Sequence, residues 1–386
     1  MSAITVAQDQ LSVTQVRKAR RGLTVYFSIL IPLSVVWYVL DDMRILNDHY
    51  TLLMFTPAIS SILARLILRE GVKDVSFQLG GRRGLAAIAF VVLFPILLAL
   101  FTYIPFWLFG WAQLYPKGLI FSSLSAQPAL DVTLNVLLLT VIGTAGVLPF
   151  AMGEELGWRG FMLTRMISAK IPWPIFVSGL IWGLWHFPLI LGGLYDVTPN
   201  LLLGTLIALL SVLGYVYIIS WVRLYSGSVW PAALAHAAFN IVYNDTFGAA
   251  TKGGTYLLGE TGLVSGVVII VIAVLLYRFW PIRQPLLNPQ QLLEDATPTR
   301  KVAPGYLAIG VLLIVSGAVS LLQHDYFILT TCVFAGLGFL VYSINPGISW
   351  KERARWQQVL LILLLTLTVL SFLLDLLQAL LSIRFS

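Results

Sequence analysis

The sequence predicts an all-α fold, a polytopic bundle of transmembrane helices with about eight core spans and three more at the C-terminal end. Three observations predict it. Hydrophobic residues make up 59% of the 386 positions and charged residues only 11%, against about 45–50% and about 25% in soluble domains. The apolar residues are gathered into runs of the roughly 20 residues that a bilayer-crossing helix needs. The basic residues, finally, fall almost entirely on one side of those runs. A soluble enzyme, a disordered chain and a disulfide scaffold are excluded, the last because Cys332 is the single cysteine.

Eleven runs are legible, at 23–40, 51–68, 84–104, 133–153, 173–193, 200–220, 229–247, 261–280, 304–322, 326–344 and 357–378. With the N-terminus in the cytoplasm and the sides alternating, 20 of the 24 Lys and Arg residues fall inside, and only Arg44, Lys117, Lys252 and Arg384 fall outside. Cytoplasmic loops retain Lys and Arg, so the asymmetry supports both span count and orientation. One missed span would invert every later loop. The net charge of +7 is therefore mostly a topology signal with some attraction to anionic lipid, and no nucleic-acid partner is expected. The expected location is the plasma membrane, as an integral multi-pass protein with a cytoplasmic N-terminus. No cleaved signal peptide is read in the basic stretch 1–22. Trp107, Phe109, Trp111 and Tyr115, between spans three and four, read as an interfacial aromatic belt.

The segment 281–303 is polar and bears Pro281, Pro285, Pro289 and Pro298. It divides the chain into a basic tail (1–22), a core (23–280), this cytoplasmic linker and a three-span appendage (304–386).

Ionisable residues inside a membrane are costly and point to function. Glu154 and Glu155 stand at the inner end of span four, with Arg159 four residues on. That spacing puts Glu155 and Arg159 on one helix face, where they can pair, and leaves Glu154 without an obvious local partner. A simple interfacial cap is the plain alternative. His186 lies in span five, one turn after Trp182, which reads as packing. His236 and Asn240 share a face of span seven among alanines that admit a close helix neighbour, so interhelical hydrogen bonding would also explain them. Arg65 is near enough to the inner edge to snorkel, and Asp375 is similarly placed at the outer end of the last span. Depth separates these readings. At about 1.5 Å per residue, His236 lies roughly 12 Å deep, Asn240 roughly 18 Å and His186 roughly 21 Å. Glu154 lies roughly 16 Å from the inner boundary if its helix continues to about Arg165, with Pro149 permitting a kink. The other two histidines, His49 and His324, fall outside the spans. A carboxylate, two imidazoles and an amide thus reach one layer.

Such a set suits hydrolysis. A carboxylate takes a proton from water, and imidazole and amide groups hold the water or an oxyanion. A Zn²⁺ ion on Glu154, His186 and His236 is the alternative. No serine or cysteine fits a nucleophile role in this layer.

Glu-Glu-x-x-x-Arg-Gly at 154–160, Trp-x-x-x-His at 182–186 and His-x-x-x-Asn at 236–240, in that order on successive spans, resemble the three motifs of the CAAX-protease and bacteriocin-processing (CPBP, or Abi) family of intramembrane endopeptidases. The resemblance covers roughly residues 50–250. Trp182 replaces the phenylalanine usual there. The resemblance implies Glu154 as the base that activates water, His186 as its helper, His236 and Asn240 as the oxyanion site, and Glu155 with Arg159 as an orienting pair. It implies a peptide or membrane-protein substrate. The family is described both as metal-dependent and as metal-free; the asparagine favours the metal-free glutamate type, with no cofactor required. The prenylated substrates of the family name are not carried over; peptide maturation, bacteriocin self-immunity and membrane-protein cleavage stand beside them. The competing reading is a non-catalytic membrane protein, either a proton-coupled transporter or a partner-binding scaffold, since buried Glu, His and Arg also build proton relays. Transporters commonly show inverted repeats, and none is visible.

Overall fold

The computed structural model describes residues 12–42, 53–71, 73–192, 201–254, 256–282, 326–344 and 353–382, with isolated positions between 307 and 317. Every predicted core span coincides with a helix. In chain order these are α1 (Val13–Asp42), α2 (Thr56–Leu68), α3 (Gly81–Phe101), the short α4 (Tyr103–Leu108), α5 (Pro128–Leu138), α6 (Thr144–Gly157), α7 (Leu163–Ser168), α8 (Pro174–Leu191), α9 (Leu201–Ser226), α10 (Trp230–Ala238) and α11 (Leu263–Phe279). Two C-terminal helices, α12 (Tyr326–Ser343) and α13 (Arg355–Ser382), follow. Most of the expected span at 304–322, the linker 283–303, His49 and His324 lie outside the described residues. Among those described, five helical stretches are long and apolar enough to cross a membrane, and α2 and α11 are shorter apolar helices. Their outward faces carry Leu66, Leu97, Phe101, Leu184 and Val271 exposed, the pattern of helices whose solvent is lipid.

Three stretches depart from α geometry and wind as π-helix, with i→i+5 bonding. They are Leu139–Gly143, Trp158–Met162 and Phe239–Gly248. The first two join α5, α6 and α7 into one continuous apolar run of 41 residues, Pro128–Ser168. At about 1.5 Å per residue that run is far longer than a ~30 Å hydrocarbon layer. Pro149 lies within it. The helix carrying Glu154 thus continues past Arg165, as the depth argument required.

Close backbone approach positions the site. A Cβ on Gly157 would fall 2.3 Å from Pro57 Cβ and 2.5 Å from its carbonyl oxygen, so only glycine lets the start of α2 rest against the end of α6. Helix α10 packs along α6 and α3, and α8 packs along α9. Ala232, Ala233, Ala235, Ala237 and Ala238 are all buried on α10; these small side chains let α6 and α10 come close. Phe339 of α12 packs against the small cluster of Leu148, Ala151, Trp230, Ala233 and Ala237, so α12 touches the motif-bearing pair.

The only described β structure is a clip of two residues a strand, β1 (Gln113–Leu114) against β2 (Thr251–Lys252), antiparallel with Gln113 opposite Lys252. Trp107 belongs to this clip rather than to a simple lipid belt. Its indole N–H donates to Thr251 Oγ1 at 3.0 Å and its ring stacks on Phe247. Phe109 and Trp111 are exposed as a belt requires.

Candidate active site

Glu154 and Glu155 occupy the last turn of α6, just before the π-helical segment that carries Arg159. Both carboxylates are buried, at 2% and 0% exposure, and Arg159 is at 1%. Arg159 Nη1 donates to Glu155 Oε1 at 2.8 Å, the pairing expected from the i,i+4 spacing. The same oxygen also meets His236 Nδ1 at 2.9 Å. The sequence reading paired Glu155 with Arg159 only; the third member arrives from α10 and has no local signal. Glu155 Oε2 and Arg159 Nε and Nη2 are buried with no hydrogen-bond partner among the described residues.

Glu154 does have partners, contrary to expectation. Trp158 Nε1 donates to its Oε2 at 3.2 Å, and Trp182 Nε1 donates to the same oxygen at 2.8 Å. The i,i+4 rule that linked Glu155 to Arg159 links Glu154 to Trp158 equally well. A Trp ring reads as packing, and its single N–H is easily overlooked. Trp182 is likewise more than packing: the Arg159 guanidinium lies 5.1 Å from its ring centre. Its ring also meets His186 at 4.6 Å and His236 at 5.7 Å, both edge-on. Trp182 therefore touches all three motifs, and the two imidazoles lie against one indole.

The hydrogen bonds settle the imidazole tautomers by chemistry. His186 Nδ1 lies 2.9 Å from the Trp182 carbonyl oxygen. A carbonyl only accepts, so Nδ1 carries the proton and Nε2 is the unprotonated nitrogen of a neutral ring. His236 Nδ1 faces a carboxylate, so it too is protonated; Nε2 donates only when the ring is an imidazolium. Asn240 follows one turn after His236 at the start of the third π-helical stretch, half-buried, with no hydrogen bond among the described residues. Its amide is uncommitted.

The wall behind Glu154 is aromatic. Trp158 meets Trp185 edge-on at 5.6 Å, and Trp185 Nε1 donates to Ser34 Oγ at 2.9 Å. The Tyr38 hydroxyl donates to the Trp185 carbonyl, and Tyr26 stacks on Phe161. Helix α1 thus closes the side of the site away from α10.

Below the site, Arg65 corrects another expectation. It does not snorkel but is 3% exposed. Its Nη1 and Nη2 chelate Asp74, and Nη2 also donates to the Gly160 carbonyl at 3.3 Å. Asp74 sits in the short turn Lys73–Val75 between α2 and α3. It also pairs with Arg165 Nη1 at 2.9 Å, while Arg165 Nη2 holds Glu70 at 2.6 Å. Arg223 Nη2 donates to the Asp74 carbonyl at 3.0 Å. Burial alone would push the Asp74 carboxyl up, but the Arg65 hydrogen bonds and the Arg165 and Arg65 charges outweigh it and hold Asp74 below the usual carboxylate range.

Whether the site suits a metal turns on its donors. Among the described residues, no three His, Cys, Asp or Glu side chains are grouped so as to hold a metal ion. Glu154 Oε2 is already taken by two indole donors. The zinc alternative on Glu154, His186 and His236 thus has no such grouping behind it among the described residues, and no chemical step is routed through a metal.

The comparisons with known proteins agree with this architecture. Neither the curated proteins nor the solved structures contain a match to the chain. Residues 132–242 match the family model described as type II CAAX prenyl endopeptidase, Rce1-like. That stretch runs from α5 into the π-helical segment after α10 and contains all six of the polar residues singled out above. The chain is an integral multi-pass membrane protein whose residues 132–242, on the helices that carry the three motifs, are similar to the type II CAAX prenyl endopeptidase family.

Proposed function

We propose that the protein hydrolyses a peptide bond in a membrane-associated or lipidated peptide, using Glu154 to activate water. The observation that carries this reading is the asymmetry of the Glu154 carboxylate. Oε2 is held by two neutral N–H donors, whereas Oε1 has no hydrogen-bond partner among the described residues. A carboxylate oxygen with no committed partner is placed to take a proton from water.

The remaining roles follow from the tautomers. Water is held between Glu154 Oε1 and His186 Nε2. Its oxygen attacks the scissile carbonyl carbon while its proton passes to Glu154. The oxyanion receives hydrogen bonds from His236 Nε2–H and the Asn240 amide. Glu154 then returns the proton to the amide nitrogen as the C–N bond breaks. Glu155 balances the His236 charge, and Arg159 holds Glu155 in place. The chemistry so written needs no metal.

Prenylated CAAX peptides are one substrate class suggested by the family description; unprenylated amphipathic peptides are the other. A panel of quenched-fluorescence peptides, farnesylated, palmitoylated and bare, incubated with the full chain in proteoliposomes, tests the reading. Hydrolysis of at least one that vanishes in Glu154→Gln is the expected result. Unchanged hydrolysis in that variant removes the mechanism. Activity abolished by a chelator and restored by Zn²⁺ removes the metal-free form. We also place the N-terminus on the cytoplasmic side of a plasma membrane, on the strength of the Lys and Arg asymmetry. The division into core 23–280 and appendage 304–386 is retained as part of this proposal. A protease-protection assay on tagged termini checks the orientation.

A further inference from the structure

We propose that Trp182, seconded by Trp158, is a positioning residue for hydrolysis: two indole N–H groups clamp one oxygen of Glu154 and leave the other as its sole proton acceptor. The inference rests on the reading of Glu154 as the base.

Both indoles donate to Oε2, at 2.8 Å from Trp182 and 3.2 Å from Trp158. An indole is a donor only. It cannot take the proton that Glu154 must accept, and it cannot cancel the carboxylate's charge as an arginine would. The clamp therefore fixes the carboxylate plane and removes one oxygen from the chemistry. Neither ring is free to turn. Trp158 is fully buried, wedged edge-on between Tyr26 at 6.4 Å and Trp185 at 5.6 Å. Trp182 reaches across from α8, the helix that also carries His186, and the Arg159 cation lies over its face at 5.1 Å. That cation withdraws electron density from the ring and makes the N–H a better donor. One side chain thereby ties the orientation of the base to the helix that supplies its helper.

The charged and titratable groups that act on Glu154 come from several elements. Glu155 and Arg159 follow it on its own helix run; Tyr26 and Tyr38 face it from α1, His186 from α8 and Tyr215 from α9. His236 on α10, and Glu260 in the loop before α11, complete the set. None of them is removed by replacing Trp182 with phenylalanine, which keeps an aromatic ring and deletes the N–H.

The test uses the full chain in proteoliposomes with whichever peptide of the panel is cleaved. Trp182→Phe is expected to melt within a few degrees of wild type, to lose about tenfold in kcat with KM within about twofold, and to move the acidic limb of the kcat/KM profile to higher pH, because a carboxylate stripped of a donor keeps its proton longer. Trp158→Phe should shift the same limb less, through its longer bond. In a Glu154→Gln background, Trp182→Phe should cost nothing further. Wild-type kcat with an unmoved limb in Trp182→Phe overturns the proposal. So does a loss of activity that tracks a loss of melting temperature with the limb unmoved. The indole N–H resonance of Trp182 should shift in Glu154→Gln whatever the activity; no shift overturns the hydrogen bond itself. A shift together with retained Glu154→Gln activity overturns the base reading alone.

Discussion

Two clusters of buried charge lie along the same helix run, and they are built on opposite terms. In the lower one, Asp74 is gripped by two guanidiniums and Glu70 by Arg165. In the upper one, Glu154 meets only neutral indoles, while Glu155 Oε2 and two Arg159 nitrogens are buried and unmatched. Unmatched atoms occur in both, Glu70 Oε1 and Arg223 Nε below as well as those above; what differs is that Asp74 and Glu70 face opposite charge whereas Glu154 faces neutral donors. The contrast assigns anchoring to the lower cluster and chemistry to the upper. The two are joined where Arg65 reaches the Gly160 carbonyl in the π-helical segment that bears Arg159.

Substitutions sharpen or break this contrast. The largest effect is expected for Glu154→Gln, a loss of about 10³-fold or more in kcat/KM at nearly unchanged melting temperature, read by peptide hydrolysis and a thermal melt. If that variant lost stability and kept activity, the assignment would be reversed. His236→Ala should come next. Removing an oxyanion donor costs about 10²–10³-fold in kcat, and Asn240→Ala should follow in the same direction with a smaller loss.

The lower cluster should answer in stability. Asp74→Asn leaves Arg65 and Arg165 short of a partner and is expected to cost roughly 1–3 kcal/mol. Its pH dependence has a definite sign. The folded-state pKa of Asp74 lies below the ordinary value, which is about 3.9. Its contribution is therefore complete above that value and fades as the pH falls through the folded-state pKa. The gap in melting temperature between wild type and Asp74→Asn should be full at pH 7 and close below about pH 4. A gap that widened on acidification would contradict the ion-pair account. The smallest effect is expected for Lys18→Ala. Its ammonium stands 3.6 Å from Glu70 and its side chain is 69% exposed, so solvent screening leaves about 0.5 kcal/mol or less.

The two clusters also differ in how far they could be read without coordinates. Helix positions followed from apolar run length, and the site layer followed from rise per residue, because both depend on local periodicity. Glu155 with Arg159 was legible for the same reason. Trp158 was equally within reach at i+4 from Glu154 but had no role assigned to it from the sequence. The rest was not local. Trp182 meeting Glu154, His236 meeting Glu155, and Arg65 meeting Asp74 and Gly160 depend on how helices face one another. Hydropathy does not record that rotation. The π-helical stretches carry no composition signal either, yet two of the three include a motif residue, Arg159 and Asn240.

Those stretches bear on how the chain should be compared with relatives. Each i→i+5 turn accommodates one residue more than an α turn between bonded groups. After Phe239–Gly248, residues that face inward no longer recur at the familiar interval, so a ruler of 3.6 misnames them. Transferring roles between homologues by counting along a regular cylinder goes astray beyond Asn240. Superposing backbones first, and reading names afterwards, avoids the slip.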